Sequence, residues 1–530
     1  MNHKSHNSIH HFFIVLVTLS LNVAAGNMAF AQFTDPMNIP PTLTGPNFNL
    51  SIEDTARNFY PGVGGSQPSQ TYGYNSEDFQ GPTLIFNKDE TVSFDIDNNT
   101  ATDNVTVHWH GFHIPARWDG GPMSSFASGE TWSPTFDVMQ HASTMWYHSH
   151  IHGDTARQVS RGMAGLIIIR DNVESLLDLP RTYGIDDIPV IVQDLTFDGN
   201  GVFDNSFLGE TMVMNGTVEP YVDVPKQVVR FRFLNASVER VYNIGFDDDR
   251  SFYQIGTDGG LLEAPVSLNR VVVAPGERVE LLFDLTAETV GTEMYLNSYS
   301  TEFGGTVAGS CNMGPACGNG PLDNTDFNFM KLVVVAQTGS PVTTVPGSLV
   351  AIDYLHEAEL DETRVKQLLG PANPGEPFTI NGGSFNMNVV NDIVRLGNTE
   401  IWRFENLSQL AHPMHIHDVQ FNILRVDGLA PAANQTGWKD TVLVYPGTVV
   451  EVLAEFTDFA DDTYAYMMHC HSLNHEDNGM MERFLVVPFN NWDPSPFALS
   501  STSPTVLVLL ALLICACGFF VVTRVKLSKK

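Results

Sequence analysis

Ten of the chain's 18 histidines fall in four tight groups. On a β-strand, residues i and i+2 point to the same face, so a His-x-His pair can present two imidazoles to one cavity. One such histidine is more often an ordinary core or surface residue, but four groups at related positions favour a metal site. The groups are His108 and His110; His148 and His150; His412, His415 and His417; and His469, His471 and His475. The pattern leaves out His113, His141, His152 and His356, for which an ordinary structural role is favoured.

The stretch "MHCHSLNHEDNGMM" (468–481) places a cysteine between two of these histidines. Two histidines, one thiolate and a weakly bound methionine suit a blue-copper electron-transfer centre. His412, Cys470, His475 and Met480 supply that set. The other eight histidines are too many for one mononuclear centre and suit a cluster of several ions. Since Cys470 lies between His469 and His471, its backbone would link the two metal sites by a short covalent path.

The elements that carry these residues are predicted to be β-strands. Between 33 and 489, period-2 runs such as "ETVSFDID" and "QVVRFRFLN" are separated by Gly, Pro, Asn and Asp at short spacing. No stretch of this region is typical of a long amphipathic helix. The pattern predicts an all-β chain of β-sandwich architecture.

The strands also recur on a larger scale. The segments "SGETWSPTFDV" (128–138), "PGERVELLFDL" (275–285) and "PGTVVEVLAEF" (446–456) look like three versions of one strand. We therefore predict three homologous sandwich domains at 33–172, 185–338 and 345–489. Where the first and third copies carry histidines, the middle copy has Tyr242, Ile244, Asn297 and Tyr299. The histidines are thus not needed for folding, and a site between the first and third domains is expected.

Composition and chain ends indicate an exported protein. The formal net charge of −33 argues against a nucleic-acid partner. Residues 1–31 are predicted to be a signal peptide that ends in "AFA", and 490–504 a linker. The uncharged segment 505–523 predicts a transmembrane helix, followed by a basic cytoplasmic tail at 524–530. The body is then expected outside the cytoplasm, periplasmic or at the cell surface, tethered by its C-terminal helix.

Four motifs together resemble the multicopper oxidases: "HWHG", "HSH", "HPMHIH" and "HCHSLNHEDNGMM". The resemblance covers about 33–489. "TYGYN", "DGGP", "GIDDIPVIVQD" and "GWKDTV" are most similar to the branch that includes the bacterial copper-efflux oxidase, the spore-coat laccase and bilirubin oxidase. It implies three cupredoxin-like Greek-key domains and four copper ions, one of type 1, one of type 2 and two of type 3.

The family's pattern also implies a role for each ligand. His412, Cys470, His475 and the axial Met480 would hold the type 1 copper. His108 and His415 would hold the type 2 copper. One type 3 copper would be held by His110, His148 and His471, and the other by His150, His417 and His469.

The resemblance implies an oxidase that takes single electrons from a reducing substrate and reduces dioxygen to water. The expected substrate is phenolic or aromatic (a phenol, an aromatic amine or a tetrapyrrole), and the alternative is a metal ion: cuprous, ferrous or manganous. The approach "ENLSQLAHPMH", with Ser408 and Leu410, departs from the copper-efflux oxidase, and no Met-rich block is present, which weakens the cuprous alternative. A redox-silent structural relative and a copper nitrite reductase are less favoured, because the full ligand set is intact.

Two carboxylates are predicted to supply protons. Asp119 lies eleven residues after His108 in "WDGGP", and Glu476 directly follows His475. Both match acidic residues that the family uses for this purpose. The structural alternatives are a turn cap for Asp119 and a solvated loop charge for Glu476. The paired Cys311 and Cys317 could close a small disulfide loop.

Overall fold

The computed structural model describes residues 32–488, except 312–317, 372 and 374. The predicted signal peptide, linker, transmembrane helix and basic tail fall on 1–31 and 490–530, outside the described residues. Within the described part, no helix is long and apolar enough to cross a membrane. Cys311 is disulfide-bonded, while Cys317 lies outside the described residues.

The described chain is built from β-strands, which confirms the predicted all-β class. Two short α-helices accompany them, α1 (Thr155–Ser160) and α2 (Leu473–Asp477). The main sheets form three sequential pairs, which we call the first, middle and third pair. Each has its own buried core, exemplified by Trp109, Phe231 and Trp402. These pairs support the predicted division at 33–172, 185–338 and 345–489, which stays a prediction.

The first pair contains ten strands. They are β1 (Thr42–Thr44), β2 (Asn47–Arg57), β3 (Ser69–Tyr74), β4 (Thr83–Asn87), β5 (Thr91–Asn98), β6 (His108–His110), β7 (Thr131–Trp132), β8 (Thr135–Asp137), β9 (Ser143–His148) and β10 (Ala164–Arg170). One sheet has the order β1-β4-β10-β9-β6, and the other has the order β3-β2-β5-β7 with β8 also paired to β5. Antiparallel pairing of β6 with β9 sets His108 opposite His148.

The middle pair follows in the chain. Its strands, with a small hairpin, are β11 (Asp187–Phe197), β12 (Phe203–Asp204), β13 (Thr211–Met214), β14 (Thr217–Val218), β15 (Tyr221–Pro225), β16 (Val228–Asn235), β17 (Tyr242–Phe246), β18 (Phe252–Thr257), β19 (Gly260–Leu268), β20 (Val271–Val273), β21 (Arg278–Asp284), β22 (Glu293–Ser298), β23 (Thr306–Val307), β24 (Ser310–Cys311) and β25 (Phe327–Val335). One sheet runs β14-β13-β11-β16-β21-β18-β19 with β12 on β11, and the other runs β15-β25-β22-β17-β20.

The third pair carries the remaining strands. They are β26 (Leu360–Leu369), β27 (Thr379–Ile380), β28 (Asp392–Arg395), β29 (Thr399–Asn406), β30 (His412–Ile416), β31 (Phe421–Val426), β32 (Thr441–Val444), β33 (Val449–Glu455), β34 (Tyr466–Cys470) and β35 (Met481–Val487). The sheets have the orders β27-β26-β29-β33-β31 and β28-β35-β34-β30-β32. Here β30 pairs with β34 and sets His415 opposite His469, as His108 lies opposite His148 in the first pair.

The repeat is less regular in the middle pair. There β17 pairs with β22 in a register that sets Ile244 opposite Ser298 and Gly245 opposite Asn297. Tyr242 lies beyond this pairing, opposite Val273 of β20. The positions that correspond to the facing histidines therefore do not face each other. The five groups of metal-capable side chains found among the described residues draw on the first and third pairs.

Candidate metal centre

Eight imidazoles converge where the first and third sheet pairs meet, and we call them the histidine cluster. Strand β6 carries two of them, β9 carries one, and a fourth lies two residues after β9. Strands β30 and β34 carry one each, and the residue directly after each of these strands is another. Each is at most 1% exposed. The members are His108, His110, His148, His150, His415, His417, His469 and His471. The structure thus brings together all of the residues that the sequence predicted for a multinuclear site.

The outward-facing ring nitrogens of six cluster histidines meet oxygen acceptors. A carbonyl oxygen can only accept, so a ring nitrogen bonded to one carries the proton, and the opposite nitrogen keeps its lone pair. The pairs are His108 Nδ1 with Asp119 O at 2.8 Å, His148 Nδ1 with Ser149 O at 2.8 Å, His415 Nδ1 with Asp440 O at 2.8 Å, His469 Nδ1 with Cys470 O at 3.0 Å, His417 Nδ1 with Asp119 Oδ2 at 2.8 Å, and His110 Nε2 with Asp440 Oδ1 at 3.0 Å.

The inward-facing nitrogens have no such acceptors. His108 Nε2, His110 Nδ1, His148 Nε2 and His415 Nε2 are buried without a hydrogen-bond partner among the described residues. The Nε2 atoms of His150, His417 and His469 lie 3.2 Å from one another. Buried polar atoms are nearly always paired. A group of lone pairs aimed at one centre therefore fits metal ions, which imidazole nitrogens bind directly.

Burial also keeps seven of these rings neutral. It lowers the pKa of five of them well below the usual value, namely His108, His110, His148, His415 and His417. It lowers the pKa of His150 to about 4 and that of His471 to about 3. Neutral imidazole is the form that coordinates a metal, so the site is prepared for one across the physiological pH range.

The two predicted carboxylates lie directly behind the cluster. Asp119 accepts from His417 through its side chain and from His108 through its backbone, and burial raises the pKa of its carboxyl well above the usual value. Glu476 has its oxygens 3.2 Å from Nδ1 of His150 and of His469. Burial alone would raise the pKa of Glu476, but these histidines lower it. Neither residue is solvated, since each is 1% exposed.

A second group, which we call the thiolate site, lies in the third pair. Cys470 Sγ lies 3.5 Å from His412 Nδ1 and 3.6 Å from His475 Nδ1. Met480 is fully buried in the same core, and its carbonyl accepts from the Cys470 N–H. Burial raises the pKa of the Cys470 thiol. A buried thiolate of this kind needs a cation, and two imidazoles, a sulfur and a thioether suit copper.

Sequence reasoning missed several residues that hold these ligands. Ser408, noted above as a departure from the copper-efflux oxidase, has its hydroxyl 2.7 Å from Nε2 of His412. Phe378 lies against His475, with ring centroids 3.9 Å apart. Asp440 holds two cluster histidines and lies in the quoted segment "GWKDTV". That segment was a usable signal for Asp440, whereas no local pattern marks Phe378.

A cleft of about 390 Å³ reaches the thiolate site at His475. Its walls combine apolar residues with three carboxylates. It is lined by Phe207, Leu208, Glu210, Glu239, Asp323, Phe378, Leu410 and Asn474, among others. Glu239 is 5% exposed, and its Oε1 lies 3.9 Å from His475 Nε2 and accepts from Asn474 at 2.7 Å. Burial raises the pKa of Glu239 to about 7.

Comparison with known proteins gives a consistent answer. Family models described as multicopper oxidase match residues 60–174 and 358–490. The chain is 30% identical to the multicopper oxidase mco of Staphylococcus epidermidis over 83% of this chain and 88% of that protein. It is 34% identical to the cell division protein FtsP of Sodalis glossinidius over 79% of this chain and 85% of that one.

Solved structures agree. The laccase-like multicopper oxidase CueO of the lignin-degrading Ochrobactrum sp. superposes with a TM-score of 0.75 at 31% identity, over 85% of this chain and all of that one. The fold is accordingly all-β and cupredoxin-like, and the histidine groups fit the type 1, 2 and 3 copper that the family binds. Dioxygen and a reducing substrate are the reactants that multicopper oxidases use. The chain is an oxidoreductase and belongs to the multicopper oxidase family.

Proposed function

We propose that this protein oxidises a small phenolic or aromatic substrate one electron at a time and reduces dioxygen to water with the electrons collected. The observation that carries the proposal is the joint arrangement of eight buried imidazoles with inward lone pairs and of Cys470, which is joined by peptide bonds to His469 and His471 of that cluster. The family relationship supports the redox chemistry, and the cleft at His475 supports a small organic donor.

We assign type 1 copper to His412, Cys470, His475 and Met480, and type 2 copper to His108 and His415. One type 3 copper takes His150, His417 and His469, whose Nε2 atoms form the tightest group. The other takes His110, His148 and His471. Proximity alone groups His110 and His148 with His108 rather than with His471, so the family pattern decides this last assignment.

Copper at these sites supplies the capacity to accept single electrons and to deliver them to dioxygen. The chain's own residues do the remaining work. His475 presents its edge to the cleft, where an electron donor can approach. Glu239 can accept the hydrogen bond of a phenol hydroxyl or an aromatic amine, while Phe378 and Leu410 offer apolar surface for the ring. Asp119 and Glu476 lie where protons must enter the cluster.

A metal-ion donor is the second candidate. Glu210, Glu239 and Asp323 line the same cleft, and carboxylates are suitable ligands for ferrous or manganous ions. The Ochrobactrum relative is described as an oxidase of lignin model compounds, which favours the aromatic donor. Some relatives are cell division proteins, so a structural role is a third candidate. The full set of buried metal-capable residues in this chain argues for the oxidase.

The protein is further proposed to work outside the cytoplasm, exported by a signal peptide at 1–31 and anchored by a transmembrane helix at 505–523. We expect that deletion of 500–530 releases an active enzyme from the membrane, because every assigned ligand lies before 489. Membrane fractionation with an oxidase assay measures this. A truncated protein that is secreted but takes up no copper would mean that the tail does more than anchor.

Replacing Cys470 by serine removes the thiolate responsible for the expected blue colour. We predict that Cys470→Ser is colourless and at least roughly 100-fold less active, since even outer partners of metal ligands are worth 10- to 100-fold. Far-ultraviolet circular dichroism should stay as in the wild type, because the middle sheet pair folds without ligands. Visible absorption and oxygen consumption provide the measurement. A blue Cys470→Ser protein contradicts the assignment.

The variants Asp119→Asn and Glu476→Gln test proton delivery. Both should retain full copper content and the blue colour. Reoxidation of the reduced protein by dioxygen should slow by roughly 100-fold, as expected for loss of a general acid. The loss should be largest at high pH, where protons are scarce. Stopped-flow recovery of the blue colour across pH measures it.

Asp477→Asn is the matched control, since Asp477 caps α1 through Thr155 and Ala156. It removes an adjacent carboxylate that lies outside the assigned ligand contacts. Reoxidation as fast as in the wild type in both test variants at every pH would assign Asp119 and Glu476 a structural role.

Glu239→Gln tests the choice of donor. If Glu239 accepts a hydrogen bond from a phenol, its loss should lower kcat/KM for phenols about tenfold, equivalent to about 1.4 kcal/mol. Oxidation of ferrocyanide, which offers no proton, should change little. Glu210→Gln removes the same charge from the cleft without contact to His475. Ferrous or manganous oxidation that falls in both variants, with phenol oxidation unchanged, would favour the metal-ion candidate instead.

A further inference from the structure

The middle sheet pair supplies no assigned copper ligand, yet one of its turns lies against the histidine cluster. The turn is Pro275–Arg278, which leads into β21. A Cβ placed on Gly276 would lie 2.7 Å from both Cγ and Cδ2 of His471. Real Cβ atoms essentially never come so close to another atom. The backbone of Gly276 is therefore in direct contact with the ring of a cluster residue.

His471 has a particular need for such a contact. Among the described residues, neither of its ring nitrogens has a hydrogen-bond partner. Six of its cluster neighbours are oriented by a bond from the outward nitrogen to oxygen. Packing must therefore orient His471. Its ring neighbours include His110 at 4.9 Å and Trp146 at 5.4 Å, and Gly276 is the contact that the middle pair makes with it.

The same turn also carries two charges that bind the third pair. Arg278 donates to both carboxylate oxygens of Asp440, at 2.8 and 2.5 Å. Lys439 Nζ forms ion pairs with Glu277 Oε1 at 3.1 Å and with Asp258 Oδ2 at 2.8 Å. All five side chains are at most 4% exposed. Two adjacent residues of the third pair are thus held by two adjacent residues of the middle pair.

Asp440 connects this ion-pair network to the ligands. Its Oδ1 accepts from Nε2 of His110, and its carbonyl oxygen accepts from Nδ1 of His415. The first of these bonds fixes the His110 tautomer that leaves Nδ1 free to face the cluster. Arg278 keeps the carboxylate in place for that bond. Movement of Arg278 would therefore change the orientation of a histidine in another sheet pair.

We infer that the turn Pro275–Arg278 is a positioning element for the copper cluster. Gly276 sets the ring of His471, and Arg278, through Asp440, sets His110. The inference rests on the proposed copper assignment. It gives the middle pair a part in the chemistry although this pair contributes no ligand.

The repeat offers matched comparison positions. Gly129 and Gly447 occupy the corresponding turns of "SGETW" and "PGTVV", with φ of +82° and +72° against +84° for Gly276. An added Cβ would meet nothing within 4 Å at either position. Alanine at any of the three glycines is strained by the left-handed backbone. Alanine at Gly276 additionally pushes on His471.

The experiment compares Gly276→Ala with Gly447→Ala in the full-length protein. Both copper-free proteins should show a fall in Tm from the shared backbone strain, and the fall should be larger in Gly276→Ala, which also presses on His471. Copper per chain and the type 2 electron paramagnetic resonance spectrum should match the wild type in Gly447→Ala. In Gly276→Ala we expect the blue colour to remain and the type 3 copper held by His471 to bind roughly 10- to 100-fold more weakly. Its loss leaves the other type 3 copper uncoupled, so the paramagnetic resonance spectrum should gain a signal that Gly447→Ala lacks.

A second pair of variants tests the ion pair between Arg278 and Asp440. Arg278→Met and Arg230→Met each remove a fully buried arginine from the middle pair, but Arg230 binds Glu280 and Glu174 rather than Asp440. Both should lower Tm, and only Arg278→Met should alter the paramagnetic resonance spectrum of the cluster copper, because Asp440 contacts both His110 and His415. Arg278→Lys, which keeps the charge, should restore part of the wild-type spectrum.

The outcomes separate the inference from the assignment on which it rests. A wild-type protein without a type 2 signal would contradict the proposed copper assignment. A normal wild-type protein, together with a Gly276→Ala spectrum and copper content equal to those of Gly447→Ala, would overturn the positioning role of Gly276. An Arg278→Met spectrum equal to that of Arg230→Met would overturn the role of Arg278.

Discussion

The structure depends on keeping a group of buried imidazoles neutral, with their lone pairs directed at a common centre. A buried polar nitrogen without a partner costs about 1–3 kcal/mol, so the outward nitrogens need acceptors while the inward ones must stay free. Backbone carbonyls close to four of the rings meet this requirement. The carbonyls of Ser149 and Cys470 accept from the ring of the preceding residue, and that of Asp440, just before β32, accepts from a ring on the paired strand β30. The carbonyl of Asp119 accepts from His108 out of the loop between β6 and β7. The scaffold therefore selects the tautomer of these four histidines before any metal binds.

The side-chain acceptors extend this constraint across the domain boundaries. Asp119 of the first pair binds His417 of the third, while Asp440 and Glu476 of the third pair face His110 and His150 of the first. Each side thus completes ligands that belong to the other. Neither sheet pair alone has a complete cluster. The metal site is therefore complete only when the first and third pairs pack against each other. The middle pair enters it through Arg278 and Gly276.

Sequence reasoning predicted the elements and the ligands because both leave local signals. Period-2 spacing indicated the strands, and the His-x-His motifs together with the repeat indicated which faces meet. Contacts such as Arg278 with Asp440, 162 positions apart, leave no periodicity and could not be predicted in this way. One signal was available but unused: the middle copy has Glu277 and Arg278 where the third has Thr448 and Val449. The offset register of β17 and β22 could not be predicted either, because it depends on which residues of the two strands pair and not on their composition.

The thiolate site and the histidine cluster differ in their access to the cleft. Cys470 and Met480 are fully buried and the cluster rings are at most 1% exposed, whereas His475 is 3% exposed and borders the cleft. Under the proposed function, the electron donor would approach the thiolate site along the edge of His475 without reaching the cluster. Dioxygen, being small, is the reactant that the closed cluster can admit. Donor selectivity must then reside in the cleft walls, which come from loops of the middle and third pairs. Phe378 and Glu239 contact His475, but other wall residues such as Glu210 do not, so under the proposed function they could alter the choice of donor while the ligand set keeps the oxidase chemistry.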